Sequence, residues 1–264
     1  MFIFRTALTA CFLACFPGLS AKPLVVAHRG ASHDAPENTL TAFQVAWKQG
    51  ADAIEGDFFL TKDNRIVCIH DKSTERLAGR KLIVKDSTLQ ELQELDVGLW
   101  KGEEFKGLKI PTISEVFATI PRGKKIFIEI KCGKEIIPPL LKAIDASGLE
   151  DEQVVMICFK AEVVRVFKAM APRCKAYWLT NFKRNDEGVW TPSVETVLQT
   201  LKSIRADGLD SHHGIPEDAA RRILEEGFEW HVWTVNDLNA AKRLKALGVH
   251  SITTDVPGSL VKSL

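Results

Sequence analysis

Short runs of apolar and β-branched residues alternate along this chain with segments of helical periodicity, and this alternation limits the possible folds more than any other feature. Runs that we predict to be strands occur at 24–28, 52–57, 66–70, 125–131, 153–159, 174–180, 205–210, 228–235 and 250–255. Segments that we predict to be helices occur at 37–49, 113–119, 135–146, 160–170, 193–203, 216–226 and 237–247. Apolar strands separated by helices are typical of a parallel sheet covered by helices.

The number of strand–helix units indicates which parallel fold forms. With the run at 66–70 set aside as an extension of the second unit, eight units remain in a chain of 264 residues. Eight units favour an α/β fold of the closed (β/α)8 type, the TIM barrel, over an open doubly wound sheet. No G-x-G-x-x-G follows the first strand, so the main signal of a dinucleotide-binding sheet is missing.

One unit is longer than the others. Most predicted strands begin about 20–30 residues apart, but the second and third barrel strands are separated by roughly 70 residues. The additional segment, at about 71–112, is polar. We predict that it forms a small inserted subdomain between the second and third βα units, at the top of the barrel.

The first 21 residues have the form of a secretory signal peptide. Arg5 supplies an early positive charge, an apolar run follows, and the segment ends in small residues at Ala21. We predict cleavage after Ala21, export to the periplasm or the medium, and a single mature domain at 22–264. A buried N-terminal helix is the alternative, and Cys11 or Cys15, each preceded by Ala, would suit a lipoprotein anchor.

The charge balance excludes several kinds of partner. The chain carries 35 Lys and Arg against 34 Asp and Glu, and cleavage would remove only Arg5. A balanced chain without a basic run gives no reason to expect nucleic acid as a partner. The body of the chain also lacks an apolar stretch of about 20 residues, so we predict no transmembrane span in the mature chain.

The cysteines give no zinc pattern. Four remain after the predicted cleavage: Cys68, Cys132, Cys158 and Cys174. Each lies within or beside an apolar run, at spacings unlike those of zinc ligands. We interpret them as buried free thiols, with one disulfide as the alternative in an exported protein.

Three acidic residues mark a candidate metal site. Glu55 and Asp57 are two positions apart in a predicted strand and therefore face the same side, while Glu129 ends the next barrel strand. In a TIM barrel the active site lies at the C-terminal ends of the strands, which brings the three together. Three hard oxygen donors suit one divalent cation, Mg²⁺ or Ca²⁺, rather than zinc.

Further polar residues end other strands at the same rim. Arg29 and Lys131 supply fixed positive charge, which together with a cation suits a phosphate ester. His28 and His70 can act as a general acid/base pair, and Trp233 ends a strand where it could wall the pocket. Taken singly, each of these acidic, basic and histidine motifs could be a structural ion pair or a helix cap. Their convergence at one rim favours a catalytic site.

Five segments of the sequence resemble the glycerophosphodiester phosphodiesterase family. They read, in chain order, VVAHRGASHDAPENTLTAF, AIEGDFFLTKDNRIVCIHD, IFIEIK, HVWTVND and ITTDVPGSL. The resemblance covers nearly all of 24–258, and its combination of H-R-G, P-E-N-T, E-x-D, H-D, E-x-K and W-T-V-N is specific.

The resemblance implies a metal-dependent TIM-barrel hydrolase of glycerophosphodiesters. The ligands would be Glu55, Asp57 and Glu129, the acid/base pair His28 and His70, and the phosphate-holding residues Arg29 and Lys131. The substrates would be small molecules such as glycerophosphocholine and glycerophosphoethanolamine, cleaved to glycerol 3-phosphate and an alcohol. Glu37 and Asn38 would brace the first loop and cap the first helix.

The chain departs from the family pattern at two rim positions. Cys158-Phe159 stands where the family often has Ser-Phe, and His212-His213 is not an expected pair. Two other functions remain compatible with the residues. One is a lysophospholipase D or phosphoinositide-type phospholipase, for which Leu99, Trp100, Phe105 and Leu108 could form an apolar rim. The other is a phosphate-ester binding protein without turnover.

Overall fold

Eight parallel strands close into a barrel with helices on its outer face in the computed structural model, which describes residues 22–264. The strands are β1 (Leu24–Ala27), β2 (Ala53–Leu60), β3 (Ile66–Cys68), β4 (Lys125–Ile130), β5 (Val154–Cys158), β6 (Lys175–Thr180), β7 (Lys183–Arg184), β8 (Trp190–Thr191), β9 (Gly208–His212), β10 (Glu229–Trp233) and β11 (Ser251–Thr254). All but β3, β7 and β8 belong to the barrel. The predicted TIM barrel is therefore confirmed, while the predicted signal peptide at 1–21 lies outside the described residues.

The pairing of the first strand closes the barrel. β1 pairs in parallel with both β2 and β11, so that Val26 lies opposite Ala53 and Val25 opposite Ile252. β3 runs antiparallel to the end of β2, with Phe58 opposite Cys68. The run at 66–70 is thus an extension of the second unit, as predicted.

Ten helices occur in the described part of the chain. They are α1 (Leu40–Lys48), α2 (Glu75–Ala78), α3 (Leu89–Gln93), α4 (Ile113–Phe117), α5 (Ile137–Ser147), α6 (Ala161–Met170), α7 (Val194–Ile204), α8 (Glu217–Glu225), α9 (Leu238–Ala246) and α10 (Pro257–Ser263). Thr39, not Asn38, caps α1, because the Thr39 hydroxyl accepts a hydrogen bond from Ala42 N. The predicted capping role of Asn38 is wrong, and this residue instead binds an acidic residue of the site described below.

Alternate residues of the barrel strands face the interior, as the two-residue period of a strand requires. A buried apolar layer lies there, formed by Val26, Ala53, Phe127, Val155, Ile157, Tyr177 and Leu179. Residues one position along the same strands, such as Ile126 and Ile128, pack between the barrel and the helices. This phase places Glu55, Asp57 and Glu129 in the interior, on the C-terminal side of the apolar layer.

The segment at 71–112 carries only short elements of its own, α2, α3 and single turns of 3₁₀ helix at Val84–Asp86 and Glu103–Phe105. Its buried residues form a small cluster with side chains of β2 and β3: Phe59, Val67, Ile69, Leu77, Val84, Leu92, Val97 and Ile110. The segment is therefore anchored to the barrel rim. That it forms a separate subdomain stays a prediction.

Two further predictions concern the whole described region. No helix within 22–264 combines the length and the apolar character that a membrane crossing requires. The cysteines of this region are unpaired, three of them buried and Cys132 half-buried. Trp178 and Trp190 are half-buried and pack against the core, whereas Trp100 is 44% exposed.

Candidate active site

The three predicted acidic residues meet at the C-terminal end of the barrel interior. Glu55 and Asp57 extend from β2, and Glu129 extends from the neighbouring β4, where it is the register partner of Asp57. One carboxylate oxygen from each residue lies within 4.8 Å of the other two. The parallel pairing of β2 and β4 thus builds the cluster that the sequence predicted.

The donor set of this cluster fits a divalent cation. Glu55 Oε2 accepts a hydrogen bond from Arg29 N at 2.9 Å, but the buried Glu55 Oε1 has no hydrogen-bond partner among residues 22–264. Burial, together with the charges of Asp57 and Glu129, raises the pKa of Glu55 well above its ordinary value. Burial and Asp57 also raise the pKa of Glu129 to about 7. Crowded, desolvated carboxylates of this kind are stabilised by a hard cation bound between them.

Asp57 differs from Glu55 and Glu129 because two positively charged side chains and an amide group contact its carboxylate. Asn38 Nδ2 donates to Asp57 Oδ2 at 2.8 Å, Arg29 Nε lies 3.2 Å from the same oxygen, and Lys131 Nζ lies 3.2 Å from Oδ1. Burial alone would raise the pKa of Asp57, but Arg29 and Lys131 outweigh it and lower the pKa. Lys131 Nζ also donates to Glu129 Oε1 at 2.7 Å.

A tight turn after β1 fixes the position of Arg29. Arg29 and Gly30 both have positive φ, 55° and 80°. A Cβ atom on Gly30 would lie 2.6 Å from the backbone carbon of Ala42 in α1. Only glycine fits that contact at that backbone angle, and the resulting turn directs the Arg29 amide at Glu55.

His28 is oriented by a residue from the other end of the chain. Its Nδ1 lies 2.6 Å from Asp255 Oδ1, and Asp255 also accepts hydrogen bonds from Ser32 Oγ at 2.9 Å and Asn236 Nδ2 at 2.7 Å. Burial alone would raise the pKa of Asp255, but the donors His28 and Asn236 lower it well below its usual range. An ionised carboxylate at Nδ1 fixes the tautomer of the ring and leaves Nε2 as its other functional nitrogen.

His70 has an equivalent carboxylate partner, Asp71. His70 Nδ1 lies 2.8 Å from Asp71 Oδ1, and Arg76 Nε donates to Asp71 Oδ2 at 2.6 Å. Arg76 Nη2 also donates to Glu37 Oε1 at 2.7 Å, and Glu37 in turn accepts from Arg29 Nη1 at 3.1 Å. Burial lowers the pKa of His70 despite the nearby charge of Asp57. Glu37 therefore braces the first loop, as predicted.

Both histidines, Arg29, Lys131 and two of the three acids border one cavity of about 220 Å³. It is lined by His28, Arg29, Glu55, His70, Glu129, Lys131, Ile157, Phe159, Leu179, Asp210, Trp233, Thr234 and Thr253. Asp57 lies behind this lining, in contact with the two cations. Trp233 lies in the wall, where the sequence predicted it, in edge contact with Phe159 at 5.7 Å between ring centroids.

The two departures from the family pattern have different positions. Cys158 is buried and its Sγ donates to Ile130 O at 3.1 Å, so Phe159 rather than Cys158 faces the cavity. His212 is the last residue of β9 and is exposed. Its ring centroid lies 4.2 Å from that of His213 and 5.8 Å from that of Trp233. Neither histidine lines the cavity.

Asp210 is a site residue that the sequence analysis missed. It is 1% exposed and lines the cavity, and its Oδ1 has no hydrogen-bond partner among the described residues. Burial, with a contribution from Glu129, raises its pKa well above the ordinary value. The alternation of side chains along β9 is a signal that could have identified Asp210, because it places this side chain on the inward-facing side of the strand near its C-terminal end.

Comparisons with known proteins agree with this geometry. A sequence profile of the glycerophosphoryl diester phosphodiesterase family matches residues 28–259. A glycerophosphodiester phosphodiesterase of Caldanaerobacter subterraneus subsp. tengcongensis is 36% identical over 247 residues, which cover 91% of this chain and 97% of that protein. One from Bacillus subtilis is 28% identical over 251 residues, covering 89% and 84%.

Solved structures show the same fold. A phosphodiesterase of Oleispira antarctica, in complex with the product sn-glycerol-3-phosphate, matches with a TM-score of 0.82 at 26% identity, over 91% of this chain and 96% of that chain. A glycerophosphodiester phosphodiesterase of Thermotoga maritima matches with a TM-score of 0.74 at 27% identity, over 92% and 98%.

Proposed function

The chain belongs to the glycerophosphoryl diester phosphodiesterase family, which makes it a phosphoric diester hydrolase, and we propose that it cleaves glycerophosphodiesters with a bound divalent cation. The substrates are glycerophosphocholine and glycerophosphoethanolamine, and the products are glycerol 3-phosphate and an alcohol. One observation carries the proposal: Glu55 and Glu129 of the acidic triad border the same cavity as two histidines, each of which is paired with a carboxylate.

Glu55, Asp57 and Glu129 would hold the cation, either Mg²⁺ or Ca²⁺. The cation would offset the negative charge that develops on the non-bridging phosphate oxygens. The unpartnered oxygen of Glu55 supports this role, because it is a buried acceptor that a cation would satisfy.

The other charged residues act on the substrate. Arg29 and Lys131 border the cavity beside the triad, where their charge favours the bound phosphodiester. His28 and His70 are the proton-transfer pair: one accepts a proton from the nucleophile and the other gives a proton to the leaving alkoxide. The glycerol 2-hydroxyl is a suitable nucleophile, since a neighbouring group has a high effective molarity, and water then opens the cyclic phosphate.

The first test is coupled detection of glycerol 3-phosphate release from both substrates, with Mg²⁺, with Ca²⁺ and with a chelator. We expect release that needs a divalent cation. A folded protein that binds glycerophosphocholine tightly but forms no product over hours would support the binding-protein alternative instead.

The second test separates the two histidines from the metal. His28→Ala and His70→Ala should each lower kcat by at least about 100-fold while cation binding, measured by calorimetry, persists. His250→Ala is the control, because His250 is exposed at the N-terminal end of the barrel. Near-normal turnover in both cavity variants would refute the acid/base assignment.

A lipid substrate is a second candidate, favoured by an apolar patch beside the site. Leu99 and Trp100 are 43% and 44% exposed. The adjacent Lys101 donates to Ser32 O at 2.6 Å, which places the patch next to the loop after His28. Faster turnover of lysophospholipid micelles than of soluble glycerophosphodiesters would establish this candidate, and Leu99→Ser/Trp100→Ser should then abolish the difference.

Export of the mature chain is also part of the proposal. N-terminal sequencing of the protein recovered from the periplasm or medium should begin at Lys22. A lipid-modified N-terminus at Cys11 or Cys15 would show that the chain is anchored instead.

A further inference from the structure

A second cavity, of about 470 Å³, adjoins the candidate active site, and Lys131 lines both. The barrel supplies one wall from the end of β2 and the start of the loop after β4, at 59–62 and 131–133. The segment between β3 and α4 supplies the facing wall through Lys72 and residues 83–85. The cavity therefore exists only because that segment folds against the barrel rim.

The lining of this cavity is strongly positive. Five lysines and one glutamate contribute to it: Lys62, Lys72, Lys85, Lys131, Lys160 and Glu135. The chain as a whole carries nearly equal numbers of basic and acidic residues, so this concentration of one sign is local. Like charges in one cavity repel, and an anionic ligand would offset that repulsion.

Three of the lysines are not neutralised by the protein. Lys85 Nζ lies 2.6 Å from Asp86 Oδ1, and Lys131 pairs with the acids of the active site. By contrast, the ammonium groups of Lys62, Lys72 and Lys160 form no ion pair with any carboxylate in the region 22–264. Lys160 donates instead to a backbone carbonyl, Cys132 O, at 3.0 Å.

The apolar floor of the cavity increases the electrostatic effect of these charges on a bound ligand. Phe59 and Val84 are 6% and 0% exposed and belong to the apolar cluster beneath the segment. A cavity with low-dielectric walls and one sign of charge concentrates the electric field. Lys62, Lys72 and Lys160 are exposed, so the cavity combines an apolar floor with positive charges at its rim that a small organic anion would contact.

We propose that this cavity binds an anionic group, a phosphate in particular, carried by the alcohol part of the substrate. The inference rests on the proposed function: with the scissile phosphodiester beside Arg29 and Lys131, an alcohol that extends past Lys131 brings its own phosphate among Lys62, Lys72 and Lys160. The preferred substrates are then glycerophosphodiesters of phosphorylated alcohols, rather than those with a cationic head group.

The test compares kcat/KM for glycerophosphoinositol 4-phosphate and glycerophosphocholine in three proteins. They are the wild type, the cavity variant Lys62→Ala/Lys72→Ala/Lys160→Ala, and the control Lys48→Ala/Lys142→Ala/Lys242→Ala. The control removes the same charge from positions on α1, α5 and α9 that are exposed, as the three cavity lysines are, but lie outside the cavity.

We expect the wild type and the control to have a higher kcat/KM for the phosphorylated substrate than for glycerophosphocholine. In the cavity variant the ratio of the two kcat/KM values should fall about tenfold, while turnover of glycerophosphocholine is unchanged. The preference should also shrink as ionic strength rises. Equal losses for both substrates, an equal loss in the control, or no loss at all would each overturn the proposal.

A binding measurement keeps this result separate from the proposed function. Inositol 4-phosphate should bind the wild type and the control in calorimetry, and bind the cavity variant about tenfold more weakly. If no substrate is hydrolysed, the proposed function fails, yet this measurement still decides the anion site. A cavity variant that loses affinity only for anionic vesicles would overturn the proposal in favour of a membrane contact.

Discussion

The two ends of the barrel interior both hold acids and histidines, but the ends differ in which buried atoms lack hydrogen-bond partners. At the N-terminal end, Glu229 accepts hydrogen bonds from Lys175 Nζ at 2.7 Å and Tyr177 Oη at 2.6 Å. The buried His231 stacks on Tyr177 at 3.9 Å between ring centroids, and its Nδ1 lies 2.7 Å from Ser251 Oγ. The carboxylate oxygens at this end are therefore partnered, and the buried atom without a hydrogen bond here is His231 Nε2, which lies 3.5 Å from Glu229 Oε2.

The C-terminal end leaves buried oxygens unpartnered. Glu55 Oε1 and Asp210 Oδ1 have no hydrogen-bond partner within 22–264, and burial raises the pKa of both carboxyls. Burial acts in the same direction on Glu229, but His231, Lys175 and Tyr177 outweigh it and lower its pKa. An acid whose hydrogen bonds are satisfied stabilises the fold, whereas a buried unsatisfied acid destabilises it until a ligand binds. We therefore expect Glu229 to contribute to stability and the acids of the C-terminal end to contribute to function.

The largest effect should come from Glu55→Gln at the C-terminal end. We expect kcat/KM to fall by more than about 100-fold, since even residues that only orient metal ligands are worth 10–100-fold. Calorimetry should show that Mg²⁺ or Ca²⁺ binding is lost, while the melting temperature of the metal-free protein does not fall. Normal metal-dependent turnover in this variant would remove the triad from the mechanism.

Asp255→Asn should have a smaller effect on turnover. An amide N–H facing His28 Nδ1 favours the wrong tautomer of the ring, so we expect kcat to fall by about 10–100-fold, by analogy with other orienting carboxylates. Steady-state kinetics across pH should show a changed profile as well as a lower kcat. Asp145→Asn, at an exposed position of α5, is the matched control and should leave both unchanged.

Glu229→Gln should lower stability and leave activity intact, which is the opposite of the result expected for Glu55→Gln. Loss of the charge weakens the hydrogen bonds from Lys175 and Tyr177, and we expect the free energy of unfolding to fall by about 1–3 kcal/mol. Urea denaturation measures this change, and kcat per folded molecule should be retained. Glu225→Gln, exposed on α8, should change neither. A loss of activity without a loss of stability in Glu229→Gln would contradict the division between the two ends.

Asp210→Asn should give the smallest effect and depend on pH. A carboxyl whose pKa is raised on folding loses its proton more easily when unfolded, so the wild type loses stability as pH rises above about 3.9, the unfolded value. The variant does not titrate at this position. We expect the free energy of unfolding of the variant to exceed that of the wild type by about 1 kcal/mol at pH 8, and by less at pH 5. Thermal melting in the presence of a chelator measures both differences. A difference that grows toward acid pH would mean that a donor satisfies Asp210.

Local patterns predicted the barrel and its acidic rim for a physical reason. The apolar β-branched runs that specify the strands also fix which residues face inward, because side chains alternate along a strand. The pair Glu55 and Asp57 follows from that period, and Glu129 joins them because neighbouring parallel strands end at the same rim. Asp210 obeys the same rule, and the alternation of side chains along β9 is sufficient to place it in the barrel interior.

Contacts between distant segments could not be predicted in this way. Asp255 lies 227 residues from His28, and only closure of the barrel between β1 and β11 brings the two together. Arg76 reaches Glu37 and Asp71 because the segment after β3 packs on the rim through its own cluster. The same packing creates the lysine-lined cavity, whose residues come from four separate parts of the chain.

The barrel, the phase of its strands and the residue types at its C-terminal rim follow from the amino-acid sequence, because these depend on spacing within single elements. The folded structure was needed to identify which carboxylate orients each histidine, which buried oxygens remain unpartnered and where uncompensated lysines converge. Those properties depend on distances between elements, and such distances are set by how the barrel closes and how the connecting segment packs against it.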